Sequence, residues 1–113
     1  MPLFQRDPEK IEDRIRRACD EHDEKYLDKC FKKGKAMLIK TVRIIGEEQM
    51  DSYIPRLCQM IDSPDRDKRL AIVYALGEFR YPTAVTFLVR RLEIEDDPEV
   101  EEEIHKAIAK YRG

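Results

Sequence analysis

Apolar residues along this chain recur at i, i+3, i+4 and i+7, as in Ile54, Leu57, Cys58, Ile61 and again in Val85, Leu88, Val89, Leu92. That spacing marks one face of a helix, and strand-like alternation is absent. It predicts helices over 8–21, 23–33, 35–46, 51–62, 66–79, 82–94 and 98–111, with connections short enough for antiparallel hairpins. Asp7-Pro8 and Asp97-Pro98 each offer a side-chain acceptor at an N-cap and Pro at the first helical position. Gly46 and Gly77 read as stops, where a left-handed residue is cheap only for Gly. Pro82 opens a helix, and Pro55 is tolerated only if its helix starts near Ser52 or Tyr53, leaving the missing N–H in the first turn. Residues 70–76 are apolar almost all round, so the 66–79 helix should be the most buried.

The pattern repeats. Residues 37–61 set above 68–92, an offset of 31, place Val42 on Val73, Ile45 on Leu76, Gly46 on Gly77, Ile54 on Val85, Leu57 on Leu88 and Ile61 on Leu92. At an offset of 32, Ile72 meets Ile104, Ala75 meets Ala107, Leu76 meets Ile108 and Phe79 meets Tyr111. The front copy is the most degenerate, keeping apolar spacing in Ile11, Ile15, Ala18 and Cys19. Two-helix repeats of this length stack because a lone hairpin cannot bury its own apolar stripe. One domain over 1–113 is expected: an N-terminal unit 8–33, repeats 35–62 and 66–94, and a half-repeat 98–111 that caps the array. The expected fold is all-α, a short right-handed α-α superhelix of about seven helices. Leu57, Ile61, Leu76, Val85, Leu88, Leu92, Ile104 and Ile108 should form its core.

Residues 51–111 resemble HEAT-like repeats of the short, roughly 30-residue kind found in phycobilisome-lyase-like proteins. The resemblance rests on Asp62-Ser63-Pro64, Lys68-Arg69, Ala75-Leu76-Gly77-Glu78-Phe79, Pro82-Thr83-Ala84-Val85, Leu88 through Leu92, and Asp97-Pro98-Glu99-Val100. Two extra residues in Ser63–Asp67 depart from the family pattern, as do Glu101 and Glu103 where it favours Arg and Ala. The second departure suits a capping helix with a polar outer face. The family implies an armadillo-like solenoid, and its members include scaffolds, partner-binding subunits, bilin lyases and a DNA glycosylase. The fold alone names no function.

Composition narrows the classes. Charged residues make up 41% with only four Gly and six Pro, which suits long solvated helix faces and not a disordered chain. No apolar run is long enough to span a bilayer, and no secretory signal opens the chain. Cys19, Cys30 and Cys58 are odd in number and form no C-x-x-C pair, so they read as reduced core thiols in a cytoplasmic protein. Neither Cys19/His22 nor Glu102/His105 has a second pair to complete a metal site, so no metal or cofactor is expected. No nucleophile elbow, P-loop or H-E-x-x-H is present, which argues for a non-catalytic chain.

The net charge of −2 is a cancellation. Residues 25–43 hold seven Lys/Arg and one acid, and residues 93–113 hold eight acids and three bases. Lys25, Lys29, Lys32 and Lys33, at i, i+4, i+7 and i+8 of one predicted helix, would form a phosphate-tracking stripe for nucleic acid. A pI near 5.8 weighs against it. The same asymmetry would permit head-to-tail self-association. The reading favoured by the repeats is a protein–protein interaction scaffold. Its concave face would present Tyr53, Arg56, Gln59, Met60, Thr86, Phe87, Arg90 and Arg91, with Tyr53, Arg56, Phe87, Arg90 and Arg91 as the binding residues. The partner would be another protein, with no membrane involved.

Overall fold

Three of the described helices begin where an aspartate takes up free backbone N–H groups. A computed structural model describes residues 8–111 and contains α1 (Pro8–Asp20), α2 (Glu24–Phe31), α3 (Lys35–Glu47), α4 (Ile54–Met60), α5 (Arg66–Phe79), α6 (Pro82–Ile94) and α7 (Pro98–Lys110). Asp23 caps α2 through the Tyr26 N–H, Asp65 caps α5 through those of Asp67 and Lys68, and Asp97 caps α7 through those of Glu99 and Val100. The expected cap at Asp7 lies outside the described residues. A single 3-10 turn, Asp51–Tyr53, leads into α4, so Pro55 falls in the first turn as its missing N–H requires. The expected 23–33 helix stops at Phe31, with Lys32 as its C-cap.

The helices form an all-α solenoid in two layers. The first helices stack in order, α1 on α3 on α5 on α7. Each second helix packs on the first helix that follows it, α2 on α3, α4 on α5 and α6 on α7, and α4 also meets α6. The array measures 49 × 26 × 22 Å. Helix α5, between α3 and α7, buries Ala71, Ile72, Val73, Ala75, Leu76 and Phe79. Leu57, Ile61, Leu76, Leu88 and Ile104 are fully buried as expected, and so are the three cysteines or nearly so. Burial raises the Cys19 thiol to about 11, with the carboxylates of Glu48 and Asp20 adding to the shift. Leu92 and Ile108 are half-buried and pack against the edge of the core, while Val85, half-buried, lies outside it, which corrects its placement.

Gly46 and Gly77 are not helix stops. They lie inside α3 and α5, and among the described glycines only Gly34 has positive φ. Their role is close approach. A Cβ on Gly46 would stand 2.6 Å from Ala75 Cα, and one on Gly77 would stand 2.8 Å from Ala107 Cβ. The left-handed residues come three positions later, at Gln49 (φ 57°) and Arg80 (φ 59°), with His22 (φ 55°) ending α1. Two of these ends are Schellman turns. At α1, Asp23 N–H donates to Ala18 O and His22 N–H to Cys19 O; at α3, Met50 N–H donates to Ile45 O and Gln49 N–H to Gly46 O.

Candidate partner-binding surface

The second helices α2, α4 and α6 form one layer, and repeated polar clamps fix their register. Arg56 of α4 donates to Asp28 Oδ1 of α2 at 2.7 Å. Its guanidinium lies 4.2 Å from the Phe31 ring centre and 5.7 Å from that of Tyr53. Those two rings stack with centroids 5.8 Å apart and an interplanar angle of 11°. Arginine over stacked rings combines cation–π attraction with a charged hydrogen bond, which restricts its rotamers. The Tyr53 hydroxyl donates to Asp28 Oδ1 at 2.9 Å, completing the cluster.

The same device recurs one unit later. Arg90 donates to Asp62 Oδ2 at 3.1 Å and Arg91 to Asp62 Oδ1 at 3.0 Å, while Arg90 stands over Phe87 at 5.8 Å. Burial would raise the Asp28 carboxyl, but hydrogen bonds from Arg56 and Tyr53 outweigh it and hold the group low. Asp62 is held low chiefly by Arg91, with Arg90 adding to the effect. Burial and the bond to Asp28 push the Tyr53 phenol up.

Of the five expected binding residues, the structure turns Arg56, Phe87 and Arg90 at least partly to solvent. Tyr53 is only 3% exposed, a correction: its ring fills the seam between α2 and α4. The Arg91 side chain, 11% exposed, is turned inward, where its Nε donates to Glu95 Oε1 at 2.9 Å. These two support the face from beneath. Gln59 and Thr86 are exposed, and Met60 is half-buried. Asp28 and Asp62 were missed by sequence reasoning, although each precedes its arginine by the same 28 residues.

The four lysines do not share a helix. Lys25 and Lys29 lie on α2, Lys32 caps it, and Lys33 lies in the turn beyond. The i, i+4, i+7, i+8 stripe is therefore broken, because α2 ends at Phe31. All four are exposed, and none has an ion pair among the described residues. On the other layer, a groove of about 350 Å³ between α1 and α3 is lined by Glu12, Ile39, Lys40, Arg43 and Ile44, among others. It is bridged by Arg16–Glu47 and Lys40–Glu12 pairs, and its lining holds no aromatic ring.

Among the described residues no group of three or more His, Cys, Asp or Glu is placed to hold a metal ion. No described helix is long and apolar enough to cross a membrane. A family model described as HEAT repeats matches residues 24–109. No curated protein and no solved structure matches the chain.

Proposed function

From the chain's membership of the HEAT-repeat family, we propose that it is a non-catalytic scaffold that binds another protein through the face of its second helices. Arg56, Phe87 and Arg90 make the contact, with Tyr53 and Arg91 holding them in place. The observation that supports this most is the double clamp. Each exposed arginine is already oriented by an aspartate of the preceding unit and by an aromatic ring. A side chain ordered before binding loses less rotamer entropy on association. Arginine beside an aromatic ring is also the composition of many interface hot spots.

The test is affinity capture from an extract of the source cell, comparing the wild type with Arg56→Gln/Arg90→Gln and with Lys25→Gln/Lys29→Gln. A partner retained by the lysine variant and lost by the arginine variant, at an unchanged melting temperature, supports the assignment. Equal capture by all three removes it.

A second reading uses Lys25, Lys29, Lys32 and Lys33 for nucleic acid. It is supported by their exposure without carboxylate partners among the described residues. Titration with labelled duplex and single-stranded DNA at low salt decides it: no binding by about 50 µM disposes of that reading, because backbone contacts are strongest there.

A further inference from the structure

We propose that the open flank of α6 seats one basic amphipathic helix from a partner protein, at a place distinct from the second-helix face. The repeat itself shows what such a flank takes. On α4 and its C-cap, Ile54, Cys58 and Ile61 form an i, i+4, i+7 stripe, and they are 8%, 5% and 0% exposed; α4 meets α5 and α6. The residues 31 positions on are Val85, Val89 and Leu92 of α6. No described helix lies over them: Val89 is 42% exposed, and Val85 and Leu92 are half-buried. Ile94 is more exposed still, but falls on the opposite side of the helix.

The charge at the edge of the stripe says what kind of helix fits. Asp62 follows Ile61 at the end of the α4 stripe and receives Arg90 and Arg91 from α6, the second helix that meets α4. Its counterpart beside the α6 stripe is Glu93, exposed and without an ion pair among the described residues. Asp96 and Glu101 add exposed negative charge at the same end. The covering helix should therefore bring an apolar stripe and a basic edge.

A whole further hairpin does not suit the site. Its first helix would have to stack on α7, where His105, Lys106 and Ala109 stand in place of Val73, Tyr74 and Gly77 of α5. Val73 is fully buried and Gly77 admits the next helix, but His105, Lys106 and Ala109 are exposed. Among the described residues the outer face of α7 is polar, while that of α6 carries the apolar stripe. A second copy of the chain fits less well. Its α2 already buries Leu27, Cys30 and Phe31, and pairing α6 with α6 would bring the acidic edges together.

The probe is a labelled peptide of residues 82–94 of this chain, since α6 is the second helix that meets α4 and gives Arg90 and Arg91 to Asp62. Fluorescence anisotropy against the full chain at low salt should give a Kd of about 10–100 µM. Glu93→Arg and Val89→Asp in the full chain should each weaken it at least tenfold, that is by about 1.4 kcal/mol or more. A peptide carrying Arg90→Glu/Arg91→Glu should bind wild type as weakly and bind the Glu93→Arg chain better. Should Val89→Asp lower the melting temperature, Glu93→Arg decides alone, because that side chain is exposed and holds no partner among the described residues. Absence of saturation at about 500 µM, or equal binding of the acidic peptide, overturns the proposal. So does a dimer in sedimentation equilibrium that Val89→Asp dissolves, which would make a second copy the occupant. The chain's own variants, Glu93→Arg and Val89→Asp, leave Arg56, Phe87, Arg90 and the lysines in place, so the site stands or falls apart from the second-helix face.

Discussion

Arg69 of α5 and Glu95, just beyond α6, form a two-point ion pair inside the solenoid. Nε and Nη2 donate to Oε1 and Oε2 at 2.9 Å each, with the two residues 7% and 6% exposed. The pair is fully used. Arg69 also donates to Ser63 O, Arg91 donates to Glu95 Oε1, and the Asp97 N–H donates to Glu95 Oε2. One carboxylate thus joins α5, α6 and the start of α7.

Removing one member of such a pair should be far more costly than the pair's net contribution. Glu95→Gln leaves the Arg69 charge buried with no counter-charge, a situation that costs about 3–5 kcal/mol. For a chain of this size that corresponds to a fall in melting temperature of roughly 10–20 °C. Thermal unfolding followed by circular dichroism checks it. A loss within about 1 kcal/mol would mean that water reaches the site in solution.

Acid should unfold the protein through the same region. Burial alone would raise Glu95, but hydrogen bonds from Arg69, the Asp97 N–H and Arg91 hold it below its usual value. Asp97 is lowered to about 2, first by Arg66 and then by the backbone N–H of Val100. Because these native values are depressed, the stabilisation is fully present above the ordinary carboxylate range near pH ~4. It is lost as pH falls, since the unfolded chain takes up protons first. Melting temperature should be flat from about pH 7 to 5 and fall from about pH 4.5 towards 2. Asp97→Asn should flatten that slope, and an unchanged slope would remove Asp97 from the account.

The left-handed helix ends predict opposite responses to one substitution. His22 and Arg80 are exposed at φ 55° and 59°, a conformation that Gly adopts without Cβ strain. His22→Gly and Arg80→Gly should each stabilise by about 0.5 kcal/mol, net of the added freedom of the unfolded chain. Gln49→Gly should destabilise despite the same backbone. Its side-chain amide donates to Gly46 O at 3.0 Å and to Glu78 O at 2.7 Å, tying adjacent units together. Urea melts of the three variants give the signs directly.

These contrasts also show what a single sequence could reveal. The seven helices and the N-cap at Asp97 depend on residues a few positions apart, and repetition reinforced them. The apolar spacing puts Tyr53 between core positions, and so on the concave face. Only the three-dimensional arrangement shows that its ring fills space against Phe31. The clamps from Arg56 to Asp28 and from Arg90 to Asp62 look like ordinary solvated charges in any local window, because 28 residues separate the partners. The half-burial of Val85 and Leu92 was hidden by their match to Ile54 and Ile61: the pattern is the same, but among the described residues α4 has a second-helix neighbour on that side that α6 lacks.

Gly46 and Gly77 give the sharpest test of the packing, because a helix-ending glycine and a contact glycine look alike in sequence and respond differently to alanine. In an open helix interior, Gly→Ala would stabilise by about 1 kcal/mol. Here a Cβ on Gly46 would meet Ala75 at 2.6 Å from Cα, 2.8 Å from Cβ and 3.0 Å from O, so backbone must move. Overpacking of that kind costs about 1–3 kcal/mol, and Gly46→Ala should be destabilising after the propensity gain is included. Gly77→Ala meets Ala107 at 2.8 Å from Cβ and 3.0 Å from Cα, with less backbone involved, and should cost less. Ala107→Gly removes the nearer of those atoms, so the double variant Gly77→Ala/Ala107→Gly should be more stable than the two single losses added together. A double-mutant cycle by urea denaturation measures that coupling. Additive losses, or a stabilised Gly46→Ala, would show that the first helices do not approach this closely in solution.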